Sequence, residues 1–94
     1  MSKSFWHVRL SKKTEKGLSK LPRPVLAALA LLMADIEDKG PVRGNWPNYG
    51  KLDSKRHHCH LRKGRPTYVA VWIETEIGVQ AEVTYAGTHE KAPY

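Results

Sequence analysis

The sequence predicts an α+β domain of order β-α-α-β-β-β, a small and mainly antiparallel four-stranded sheet with two helices packed on one face. Three observations predict it. An alternating apolar segment near the start precedes two stretches of helical period, Gly40-Pro41 closes the second of these, and from Arg56 onward the period becomes two. Ninety-four residues suffice for one modest core, so residues 1–94 are read as a single domain.

In Phe5-Trp6-His7-Val8-Arg9-Leu10, Trp6, Val8 and Leu10 fall on one side and His7 and Arg9 on the other, the pattern of a half-buried strand. Ser11 offers an N-cap for a short helix with Thr14, Leu18 and Leu21 at i, i+4 and i+7. Gly17 weakens that helix and Pro22 ends it. The second helix begins near Pro22–Pro24, where proline suits a first turn, and carries Val25, Leu29, Leu32, Met33 and Ile36 as its core stripe. Asp35, Glu37 and Asp38 crowd the negative end of its dipole, an unfavourable placement that Lys39 partly offsets and that reads as a solvated surface. Residues 40–55 lack periodicity and read as a long loop, with Trp46 and Tyr49 either anchoring it to the core or serving as stacking platforms for bases. Lys63-Gly64-Arg65-Pro66 makes a turn, and the β-branched and aromatic run from Thr67 to Glu74 suits a central strand. Thr75 to Gly78 turns again, and Val79, Ala81, Val83 and Tyr85 alternate in the last strand.

Composition narrows the function classes. The hydrophobic fraction is 40% and the charged fraction 27%, which is globular and not disordered. The single Cys59 cannot form an internal disulfide, and the sequence opens on no basic-then-apolar leader, so a cytoplasmic protein is expected. The longest apolar run, residues 25–34, is too short to span a bilayer, so no membrane partner is expected. Net charge is +7, unevenly spread: residues 48–66 hold six basic and one acidic side chain, a net of +5, whereas residues 67–94 hold one and four. Lys51, Lys55, Arg56 and Lys63 belong to this basic segment, which would draw a polyanion.

Pleating sorts the strand from Arg56 to Arg62 by parity. Arg56, His58, His60 and Arg62 point one way, His57, Cys59 and Leu61 the other. If the Cys59/Leu61 face packs on the helices, two imidazoles stand open between two guanidiniums. The guanidinium fork matches phosphate, and imidazole exchanges protons near neutral pH, which together describe an RNA phosphate site with acid–base capacity. The competing readings are an idle polar strand face and a zinc site using His58, His60 and His89. Zinc is disfavoured because Cys59 points away and the usual knuckle or helix spacing is absent. His89, in the polar run after the last strand, is a third proton carrier that taken singly reads as an ordinary surface residue. Tyr94, the last residue, reads as a loose terminal aromatic, with stacking on a base or closing over a site as the alternatives. No Gly-rich phosphate loop, HExxH or nucleophile elbow occurs, and only Asp53 supplies a carboxylate near the basic strand, against two-metal nuclease chemistry.

The element order in a short basic chain, with the stretches Asn45-Trp46-Pro47-Asn48-Tyr49-Gly50-Lys51-Leu52, His58-Cys59-His60-Leu61-Arg62-Lys63-Gly64-Arg65-Pro66-Thr67-Tyr68-Val69 and Tyr85-Ala86-Gly87-Thr88-His89-Glu90-Lys91-Ala92-Pro93-Tyr94, resembles the RelE/ParE superfamily of toxin–antitoxin toxins, its RelE/HigB-like branch most closely. The resemblance implies a ribosome-dependent endoribonuclease that cleaves mRNA without metal or cofactor. It also implies contacts to 16S rRNA and a cognate antitoxin, encoded adjacently, that forms a heteromeric complex with the toxin. His58 and His60 fall where RelE-like toxins place alternating basic residues, often lysines. Arg62 or Arg65 resembles the arginine that stabilises the transition state. His89 looks like a histidine that some branches place after the last strand, and Tyr94 is similar to the C-terminal tyrosine of the RelE-like pattern. Histidines thus stand in place of the family's lysines, and no arginine follows Gly87. On this resemblance His58 or His60 takes the 2′-proton, Arg62 and Arg65 hold the phosphate, His89 protonates the leaving oxygen, and Tyr94 stacks or positions. The alternatives are a ParE-like toxin acting on DNA gyrase and a non-catalytic RNA-binding protein.

Overall fold

Ser11 begins the first helix through its side chain, whose Oγ accepts from the Thr14 backbone N–H at 3.1 Å. The computed structural model describes residues 6–75 and 80–94. The elements run β1 (His7–Leu10), α1 (Lys12–Gly17), a 3-10 turn (Leu18–Lys20), α2 (Arg23–Lys39), β2 (Gly50–Lys51), β3 (Arg56–Arg62), β4 (Tyr68–Glu74), β5 (Gln80–Thr88) and a 3-10 turn (His89–Lys91). The expected turn beyond Thr75, together with Phe5 and Val79, lies outside the described residues.

The fold is α+β, with two helices on a five-stranded mixed sheet of order β1-β5-β4-β3-β2. This corrects the expected four strands. The fifth is β2, two residues inside the long loop that pair antiparallel with β3, Gly50 opposite His58 and Lys51 opposite His57. Two residues, one of them glycine, just after Pro47-Asn48 carry no period-two signal, which is why β2 does not read as a strand. β3, β4 and β5 form the expected antiparallel meander, and β1 joins β5 in parallel. Val25, Leu29, Leu32 and Ile36 of α2 bury against Cys59, Leu61, Ala70, Trp72, Ala81 and Val83, while Met33 is only partly covered. Each buried side chain of this size contributes about 1.5–3 kcal/mol. α2 stops at Gly40, whose φ of +94° suits glycine and whose N–H bonds the Ile36 carbonyl at 2.7 Å. Among the described residues, no helix is long and apolar enough to cross a membrane.

The loop after α2 is tightly pinned, and Asp35 does most of the pinning. Its Oδ2 accepts from Arg43 Nη1 at 3.0 Å, Asn45 Nδ2 at 3.1 Å and Trp46 Nε1 at 3.0 Å. These hydrogen bonds, Asn45 foremost, hold the Asp35 carboxyl down at about 2. The expectation of a solvated surface is therefore corrected for Asp35, because the loop folds back over the end of α2 and brings three donors to one oxygen. Further along, Trp72 Nε1 donates to the Pro41 carbonyl at 3.0 Å and the His60 N–H to the Pro47 carbonyl at 2.8 Å. Trp46 and Tyr49 both pack on the core cluster, which makes them anchors of the loop.

Replacing Asp35 by Ala strands three donors, and hydrogen bonds to a charged group are worth about 1.5–3 kcal/mol each when shielded. The Asp35 side chain is 20% exposed, so solvent screening reduces the total. The expected loss is about 2 kcal/mol, read as a lower urea midpoint with an unchanged slope. Because the folded carboxyl titrates below its unfolded value of 3.8, this stabilisation is present above pH 3.8 and is lost as pH falls towards 2.

Candidate functional site

β3 has one buried and one open side, and the alternation is strict from Arg56 to Leu61. His57, Cys59 and Leu61 are buried beneath the helices, while Arg56, His58 and His60 are partly exposed. A bulge between His60 and Arg62 adds one residue to β3, so Arg62 pairs with Tyr68 while His60 pairs with Val69.

On the open side, Val69 and Val71 of β4 are the cross-strand neighbours of His60 and His58, yet they are 0% and 1% exposed. The segment 89–94 runs back over His58 and His60 on this side. The Tyr94 ring lies 4.7 Å from the His58 ring, the His89 ring 5.7 Å from His60 edge-on, and His89 and Tyr94 are 6.0 Å apart. Two bonds fix where this segment leaves the sheet: the His89 N–H donates to the Thr67 carbonyl at 2.8 Å, and Tyr85 Oη donates to the Thr88 carbonyl at 2.7 Å. Gly87 leaves room for the Tyr85 side chain, since a Cβ there would meet the Tyr85 hydroxyl at 2.7 Å and push it from its bond to Thr88.

His58, His60, His89 and Tyr94, far apart in sequence, thus form one cluster. A cleft of about 570 Å³ opens beside it, with His60, Arg65, Thr67, His89 and Glu90 among its walls. Arg65 is exposed in the turn after β3. Arg62 borders an adjoining depression with Pro47, Asn48 and Lys63, which shares His60 and Thr67 with the cleft. His58 is set back from the cleft, between Tyr94 and Gly50, where a Cβ would approach its Nε2 to 3.0 Å. Its Nδ1 is buried and has no hydrogen-bond partner among the described residues.

The electrostatics favour uncharged rings at His58 and His60. Burial first, then the neighbouring His60 and His89, push the His58 pKa below 6.5. Burial, His89 and Lys63 do the same for His60. Burial also raises the Tyr94 hydroxyl above 10, and the Cys59 thiol to about 12, so Cys59 is inert. Lys51, Lys55 and Lys63 are exposed. Arg56 does not stand free, since its Nε bonds Asp53 Oδ2 at 2.8 Å. Among the described residues, no group of three or more His, Cys, Asp or Glu side chains is arranged to hold a metal ion.

Sequence reasoning missed two features. Glu90 joins the cleft, for which it has no signal except its neighbour His89. His57 is fully buried and fully bonded: Nε2 hydrogen-bonds Glu74 Oε2 and Nδ1 hydrogen-bonds the Tyr49 hydroxyl, both at 2.7 Å. Its ring stacks on Trp72 at 5.6 Å. Parity places His57 inside, but its partners come from the loop and from β4, which no local pattern connects.

Comparison with protein-family models, with curated proteins and with solved structures found no match for the chain.

The His58 and His60 ring protons are expected to titrate with midpoints below 6.5 in a proton–carbon NMR titration. Tyr94→Ala uncovers His58 and should move its midpoint up towards 6.5. Since both folded values are depressed, the stability these groups contribute is intact above pH 6.5 and declines as the pH falls through their folded values, an acid-side loss that thermal melts across the series would register.

Proposed function

We propose that the chain is a metal-independent endoribonuclease of the RelE/HigB-like kind, a cytoplasmic toxin that cleaves ribosome-bound mRNA and is neutralised by an adjacently encoded antitoxin. One observation carries the reading: His60, His89 and Arg65 share one cleft, with the His58–Tyr94 pair against its edge. An RNA strand brings its own nucleophile, so the protein has only to move two protons and stabilise a phosphorane.

His60 is the better-placed base, because it borders the cleft and its depressed pKa keeps the ring free to accept the 2′-proton. The 2′-oxygen then attacks phosphorus, and His89, whose ring lies 5.7 Å from that of His60, gives a proton to the departing 5′-oxygen. The products are a 2′,3′-cyclic phosphate and a free 5′-hydroxyl. Arg65 is the better-placed clamp for the pentacoordinate phosphate, and Arg62, beyond the bulge, lies along the path of the flanking strand. Tyr94 and His58 form a tilted ring pair that supports the His60–His89 side of the cleft. Lys51, Lys55 and Lys63 would contact phosphates of mRNA or 16S rRNA, with affinity falling with salt at a slope of about −0.7 per single-strand phosphate.

Single-turnover cleavage of mRNA on ribosomes tests the assignment. His60→Ala and His89→Ala should each slow cleavage by about 10²–10⁴-fold and Arg65→Ala by about 10²–10³-fold, with ribosome binding retained. Full activity in both His58→Ala and His60→Ala overturns the nuclease reading. Growth arrest without mRNA fragments would point instead to a gyrase-directed toxin.

A further inference from the structure

We propose that the outward face of α2 is a self-association surface on which a second copy of this chain packs as an antiparallel, two-fold helix pair. The face opposite the buried Val25–Leu29–Leu32–Ile36 stripe is exposed at Ala27, Ala30, Leu31 and Ala34, with no charge between Arg23 and Asp35 anywhere on the helix. Leu31 is 66% exposed, a large apolar side chain standing among alanines. Arg23 lies at one end of this strip, Glu37 and Asp38 at the other.

These charges oppose the helix dipole. A cation at the N-terminus and two anions in the last turn are each unfavourable. Asp35 is compensated by the loop, but Arg23, Glu37 and Asp38 take part in no ion pair among the described residues. An antiparallel partner supplies the missing compensation. A two-fold axis between Ala30 and Leu31 sets Arg23 against Asp38 of the second copy, and sets Ala27 against Ala34. The separation from Arg23 to Asp38, about 22 Å at 1.5 Å per residue, is the same on both copies, so both ends pair at once. At the axis, Leu31 faces methyl-sized neighbours that let near-antiparallel helices approach closely. A groove of about 590 Å³ beside Ala34, bounded by Trp46 and Pro47, extends that room. The strip faces away from the sheet, so pairing leaves the histidine cleft of each copy open.

A single helix pair buries less than the roughly 1,200–2,000 Å² of a standard interface, so the dimer is expected to be weak, with a Kd on the order of 10–100 µM. Sedimentation velocity of the full chain at rising concentration should show a monomer–dimer equilibrium in that range. Leu31→Glu should remove it while leaving the circular dichroism spectrum unchanged, since Leu31 is on the surface. Arg23→Asp should weaken it about tenfold. The double variant Arg23→Asp/Asp38→Arg should restore it, and that swap aligns with the helix dipole, so misfolding does not confound it. A wild-type chain that stays monomeric above 300 µM, including one whose α2 face is taken only by a different protein, overturns the proposal. So does self-association that survives Leu31→Glu, or a double variant that remains as weak as Arg23→Asp.

Discussion

A strand covered on one side and open on the other can give two adjacent side chains of the same type opposite environments, and β3 does this with His57 and His58. His57 is tolerated in the interior because both ring nitrogens are satisfied, one by Glu74 and one by the Tyr49 hydroxyl, and because Trp72 lies flat against its ring. An unpartnered polar group there would be strongly destabilising. On the other side, neither His58 nor His60 makes a side-chain hydrogen bond among the described residues, and Tyr94 packs against the His58 ring. The open face is left polar only because the covered face is complete.

That completeness reaches well beyond β3. Tyr49 meets His57 only if the loop from 43 to 49 is held, and the loop is held by Asp35 at the far end of α2. The same loop passes Pro47 to the His60 backbone and Gly50 to His58 through β2. A carboxylate that touches neither histidine of the open face therefore helps to position both. Backbone placement of this kind suits a site that needs fixed geometry, since the strands carry the side chains and the loop braces the strands.

Much of this was legible in the residues. Parity alone sorted β3, the periodicities gave α2 and the meander, and Gly40-Pro41 marked the helix end. What escaped has a common cause. β2 is two residues long and shows no period, and the parallel pairing of β1 with β5 joins residues 73 positions apart, such as His7 and Gln80. The Asp35 network, too, gathers donors that look like loop composition until the loop is folded. Sequence patterns report the repeat of an element and say little about contacts between elements. The cluster of His58, His60, His89 and Tyr94 stands between these cases. Its β3 members followed from the pleat, whereas the closeness of the tail depends on how the chain leaves β5 at Thr88.

The adjacent histidines also make β3 intolerant of misalignment. Sliding it by one position against β4 would press His58 and His60 into the apolar layer, where Tyr49 and Glu74 wait at the wrong places, and would turn Cys59 and Leu61 out to water. Both surfaces of the sheet lose in that exchange, so the misaligned hairpin has no compensating gain. The same alternation that exposes two imidazoles thus acts as proofreading, rejecting a shifted pairing while the sheet assembles.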